Sequence, residues 1–97
     1  MIVEKTIAIP VTHPALPGHF PGNPIVPGVV LLDEVVRVMQ EHDIRVTGFS
    51  HAKFTALLRP GEECTIRIAP LDKIRWTFDC IVAERSIMTG VLTCQGS

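Results

Sequence analysis

One of the four histidines, His19, stands between Gly18 and Phe20-Pro21, and an aspartate, Asp33, follows it further along the chain. Histidine gives up its proton near neutral pH, so His19 is a candidate general base. Pro27-Gly28 precedes an apolar run, Val29-Val30-Leu31-Leu32. A helix opening there would leave its first N–H groups and its positive dipole end facing outward, and Gly28 leaves its own amide uncovered. Such an amide can donate to a carbonyl oxygen that gains negative charge. Asp33 would lie a little over one turn further in, on the polar stripe of an otherwise apolar helix. A base, an oxyanion donor and a carboxylate are the parts needed to remove a proton next to a carbonyl. Plainer readings stand beside these. His19 reads equally as a structural loop residue, Asp33 as one half of an i,i+4 pair with Arg37, and Gly28 as a simple helix start. His13, placed before Pro14, reads as a loop residue.

Stiff and periodic segments must position these groups. Residues 2 to 9 alternate and predict a strand ended by Pro10. Six prolines (Pro10, Pro14, Pro17, Pro21, Pro24, Pro27) then crowd the stretch from 10 to 27, which forbids a helix or an interior strand there. Fixed φ angles at Pro21, Pro24 and Pro27 make a loop that holds a side chain at little entropic cost. From Val29 to Glu41, Leu31, Leu32, Val35, Val38 and Met39 share one side, with Asp33, Arg37, Gln40 and Glu41 on a narrower stripe opposite. The pattern predicts a helix enclosed on most of its circumference. Four β-rich segments follow, Gly48–Leu58, Glu62–Ala69, Ile74–Ala83 and Ser86–Cys94, joined by short turns and read as a meander. In the third, Ile74, Trp76, Phe78, Cys80 and Val82 alternate with polar residues, as in a strand covered on one face. One helix against an antiparallel sheet is an α+β domain. A single helix covers the sheet incompletely and leaves edge strands exposed, so a two-fold dimer is expected.

Composition narrows the function classes. The 97 residues are 46% hydrophobic and 20% charged, with a formal net charge of −1. That is one domain, with enough apolar side chain to offset ordering entropy and no basic footprint for nucleic acid or an anionic membrane. The stretch between Lys5 and Asp33 lacks Asp, Glu, Lys and Arg, but its prolines exclude a membrane span. The opening run, Met1-Ile2-Val3-Glu4-Lys5, does not read as a signal peptide. Cys64, Cys80 and Cys94 form no C-x-x-C pair and read as small buried hydrophobes in a reducing cytoplasm. No clustered His or Cys suggests a metal.

The run from Gly18 to Asp33 resembles the hot-dog-fold 3-hydroxyacyl-acyl-carrier-protein dehydratases of the FabA and FabZ type. The likeness lies in His19-Phe20-Pro21, the prolines at 24 and 27, Gly28, and an acid at the family's distance from the histidine, here Asp33. The acid is aspartate, as in the FabA branch. Ala52-Lys53-Phe54 and Leu57-Leu58-Arg59-Pro60-Gly61-Glu62 resemble the family's next strand and its Pro-Gly-acid turn. The resemblance implies that residues 1–97 form one hot-dog domain, with a central helix wrapped by a curved antiparallel sheet. It implies dehydration of 3-hydroxyacyl thioesters, carried on acyl carrier protein or coenzyme A, in fatty-acid, related lipid or polyene synthesis. His19 would be the base, and Asp33, from the partner chain's helix, would assist departure of the C3 hydroxyl as acid or orienter. The Gly28 amide would bind the thioester oxygen, with Phe20 and Val29 beside the substrate. Neither metal nor organic cofactor is implied. A homodimer or an assembly of dimers is, in the cytoplasm, with no nucleic acid or membrane partner. The chain departs from the FabZ pattern in lacking a leading His-Arg-Tyr-Pro segment and in carrying Glu34, a rival acid, and Arg37 where small residues are usual. A thioesterase and a non-catalytic acyl-binding protein of the same fold are the alternatives.

Overall fold

Alternation of apolar and polar side chains builds most of the sheet. The computed structural model describes residues 1–13 and 25–95. Within them the order is β1 (Val3–Ala8), α1 (Gly28–Gln40), β2 (Val46–Phe54), β3 (Glu63–Pro70), β4 (Arg75–Val82) and β5 (Arg85–Cys94). The five strands form one antiparallel sheet in the order β1-β3-β4-β5-β2. Helix α1 packs on one face, burying Val30, Leu31, Val35, Val38 and Met39. Against them lie Cys64, Ile66 and Ile68 of β3, Trp76, Phe78 and Cys80 of β4, and Ile87, Met88 and Leu92 of β5. This is the expected hot-dog arrangement of one helix on an antiparallel sheet.

Three details differ from the sequence reading. The strands after the helix are not a simple meander, because β2 pairs with β5 and the chain crosses the sheet before β3 begins. Second, β2 runs over Val46–Phe54 rather than Gly48–Leu58. Its pairing with β5 slips between Val46 and Gly48 and again between Phe49 and His51, which leaves Thr47 and Ser50 as extra residues. Those two bulges put Val46, Phe49 and Ala52 against the core at intervals of three, where an unbroken strand would require two. Third, α1 is not enclosed on most of its circumference: Val29 is 70% exposed, and Leu32 and Val36 are half-buried.

Beyond β2 the chain is tied down without strand pairing. Leu58 is buried, and its carbonyl accepts the Val26 amide at 2.8 Å. Gly61 sits at φ 87°, where a side chain would be strained, and its amide reaches Ile9 O at 2.9 Å. These two bonds fasten the segment ahead of α1 and the end of β1 to the turn before β3.

The three cysteines are free and buried, as expected of small hydrophobes. Cys64 and Cys80 meet across the β3–β4 pair. That contact, together with burial, holds the Cys80 thiol above the usual thiol range, so it stays protonated.

The β4–β5 turn offers a test of local strain. Val82 pairs with Arg85, and the residues between them, Ala83 (φ 48°) and Glu84 (φ 67°), are both left-handed. A two-residue hairpin turn of this hand prefers Asn-Gly, whereas a Cβ-bearing residue pays about 1 kcal/mol or more for the conformation. The double variant Ala83→Asn, Glu84→Gly is expected to stabilise the fold by about 1 kcal/mol. Urea denaturation would show this as a higher midpoint at unchanged slope. No rise would mean that the flanking strands, and not the turn residues, set the hairpin geometry.

Candidate active site

Helix α1 starts without a side-chain cap, at extended Pro27 (φ −60°, ψ 143°). The Val30 amide bonds Pro27 O at 3.0 Å, while those of Gly28 and Val29 donate to no acceptor among the described residues. Proline favours this position because its fixed φ suits a helix entry. Gly28 lets the Phe54 ring at the end of β2 lie close: a Cβ there would be 2.6 to 2.7 Å from that exposed ring and would displace it. The helix therefore begins with an uncommitted amide edge beside an aromatic ring.

From that edge an open groove of about 470 Å³ follows the outer side of α1. Val29, Val30, Leu32, Asp33 and Val36 line it from the helix, Phe49 from β2, and His13 from the segment after β1. Val29 to Val36 span about 10 Å of helix axis. The lining is apolar apart from Asp33 and His13, so the groove suits a hydrocarbon chain beside one carboxylate and one imidazole.

Asp33 is exposed, with its nearest cation, Arg37 Nη2, 3.9 Å from Oδ2. At that distance the surface pair is weak, and the carboxylate is free to engage a ligand. Glu34, the rival acid, is half-buried and is not among the groove's lining residues.

The structure thus brings Gly28, Val29 and Asp33 to one stretch of α1, with Val29 and Asp33 in the groove. His19 and Phe20 lie outside the described residues. Of the lining residues, Val29 and Asp33 were expected as site residues, and His13, Val30, Leu32, Val36 and Phe49 were not. His13 carried one usable signal, a histidine stiffened by the following proline; its amide closes a turn to Pro10 O at 2.9 Å. Phe49 carried none, because the bulges that aim it inward break the two-residue period from which its face would be read. Among the described residues, no three His, Cys, Asp or Glu side chains gather as a metal site would require, and no helix is long and apolar enough to cross a membrane.

Comparison with known proteins agrees with this architecture. The family model described as ApeI-like, ApeI dehydratase, matches residues 2–92. The 3-hydroxyacyl-[acyl-carrier-protein] dehydratase FabZ of Haemophilus influenzae is 28% identical over 99 residues, covering 91% of this chain and 62% of that protein. The FabZ of Aliarcobacter butzleri is 28% identical over 114 residues, covering 98% and 76%. The chain therefore spans about three fifths of the length of the Haemophilus relative. Among solved structures, the dehydratase heterocomplex ApeI:P from Xenorhabdus doucetiae has the same fold, with TM-score 0.82, 23% identity, and 96% and 86% of the two chains covered. A mutant of the fluoroacetyl-CoA-specific thioesterase FlK is more distant, with TM-score 0.64, 16% identity, and 99% and 86% covered. With the family model spanning nearly all of it, this chain belongs to the ApeI-like dehydratase family.

Proposed function

We propose that the protein dehydrates 3-hydroxyacyl thioesters, carried on acyl carrier protein or coenzyme A, to trans-2-enoyl thioesters. The observation that carries this reading is the groove, an apolar trough lined by the Asp33 carboxylate and running from the uncommitted amide edge of α1. The acyl chain lies along Val29, Leu32 and Val36. His19 accepts the C2 proton, and the electron pair moves onto the thioester oxygen, to which the Gly28 N–H donates. Protonated Asp33 gives its proton to the C3 hydroxyl. The C3–O bond breaks, water leaves, and the returning electron pair forms the C2–C3 double bond. Exchange with solvent then takes the proton from His19 and restores the one on Asp33. Side chains and backbone supply every step.

The unpaired edge of β2 supports a homodimer or an assembly of dimers. In that assembly His19 of one chain works with Asp33 of the other. Three buried free thiols fit the reducing cytoplasm.

The test incubates the protein with 3-hydroxybutyryl and crotonyl thioesters and follows hydroxyacyl–enoyl interconversion and free thiol in parallel. Interconversion without thiol release is expected. Thiol release without enoyl product would identify a thioesterase, and acyl binding without turnover a binding protein; either overturns the proposal.

A further inference from the structure

We propose that Phe49 determines which acyl groups the groove accepts, as a rigid wall whose removal admits longer chains. This rests on the acyl-thioester reading of the groove. Among the described lining residues Phe49 alone carries a phenyl ring; the other apolar members are valines and a leucine on α1. Its aim is built into the backbone. The bulges at Thr47 and Ser50 bracket it, breaking the strand alternation on either side so that the ring turns toward the helix.

Its backing is equally fixed. The Phe49 ring meets Phe78 edge-on, with centroids 5.5 Å apart and planes at 83°. Phe78 is a core residue at 1% exposure and cannot swing out. Gly90 of β5 lies against the same ring: a Cβ there would collide with Phe78 and with the His51 carbonyl oxygen of β2. β2, β4 and β5 are therefore packed to contact behind the wall: the glycine lets Phe78 lie flat on β5, Phe78 supports Phe49, and Phe49 faces the ligand. The groove cannot deepen by side-chain rearrangement. It deepens only if the phenyl ring is removed, and the space released is bordered by hydrocarbon, which suits further methylenes.

An apolar pocket distinguishes ligands by roughly tenfold or more per methylene gained or lost. Phe49→Ala is therefore expected to raise the ratio of kcat/KM for palmitoyl-length over butyryl-length 3-hydroxyacyl thioesters by at least about tenfold. Phe49→Trp is expected to lower the same ratio by a similar factor, with octanoyl-length substrates between. Phe49→Leu, which keeps more of the packing against Phe78, gives a smaller shift in the Ala direction and serves if the alanine variant does not fold. Calorimetric titration with saturated acyl thioesters of the same lengths reads the affinity ratio without any turnover. A chain-length ratio unchanged within about twofold across the folded variants, by both readouts, overturns the role of Phe49. Absence of dehydration in the wild type, with the affinity ratio still shifting, overturns the function and leaves the wall in place.

Discussion

His19→Ala is expected to cut kcat/KM for 3-hydroxyacyl thioesters by about 10²- to 10⁴-fold. The C2 proton of a thioester is too weakly acidic to leave without a base aligned to it, and no other side chain is assigned that work. The loss should fall on kcat rather than KM, because the apolar grip on the acyl chain comes from Val29, Leu32, Val36 and Phe49. Circular dichroism would confirm the fold, and saturated acyl thioesters should bind as to wild type. His13 is the informative control, since it lines the same groove. If His19→Ala keeps full activity while His13→Ala loses it, the base has been assigned to the wrong histidine.

Asp33→Asn is expected to cost a comparable factor, about 10²-fold or more, because the amide keeps the carboxylate's shape but has no proton to give the departing hydroxyl. Among the described residues the exposed side chain makes only the weak contact to Arg37, so the substitution should leave the fold intact. The two variants together give a sharper result than either alone. If each site pairs His19 of one chain with Asp33 of the other, a heterodimer of the variants contains one site with both groups intact and one with neither. Random exchange between two-fold dimers makes half the population mixed, so about a quarter of wild-type activity should return on mixing. Sites built within one chain would give no recovery at all. Arg37→Ala is expected to change activity little, which separates the acid's chemistry from its ion pair.

Much of the architecture was readable because its determinants are local. Alternation through Trp76, Phe78 and Cys80 marked a covered strand, and all three are buried. Pro27-Gly28 marked the start of α1, and the Pro60-Gly61 turn brought β3 into place. What escaped the sequence was non-local. The place of β2 at the edge beyond β5 is decided by which strand pairs with which, and no short window encodes that. The ends of β2 and the aim of Phe49 depend on bulges that break the two-residue period. The exposure of Val29 went unforeseen because an apolar helix reads as buried, whether its cover comes from its own chain or from another. Of the candidate site, Gly28 and Asp33 were legible from spacing and Val29 from the family resemblance, and all three lie on one stretch of α1, while His13 and Phe49 joined the groove only in three dimensions.

The strand order also has a consequence for how the protein is made. Translation delivers α1 before β2, β3, β4 and β5, and the one described strand that precedes it, β1, pairs with β3, joining Val3 to Ile68. The helix that carries Asp33 therefore leaves the ribosome with Val30, Leu31, Val35, Val38 and Met39 uncovered, and the sheet that will cover them is still being synthesised. Long-range pairing of this kind closes slowly, so folding should commit only when β5 has emerged and joined β4 to β2. Ribosome-bound chains halted before Arg85 are expected to remain sensitive to protease along their whole length, and chains carrying β5 to become resistant in one step. Helix α1 is made early and matures last, and for that interval its apolar face is a natural substrate for chaperones.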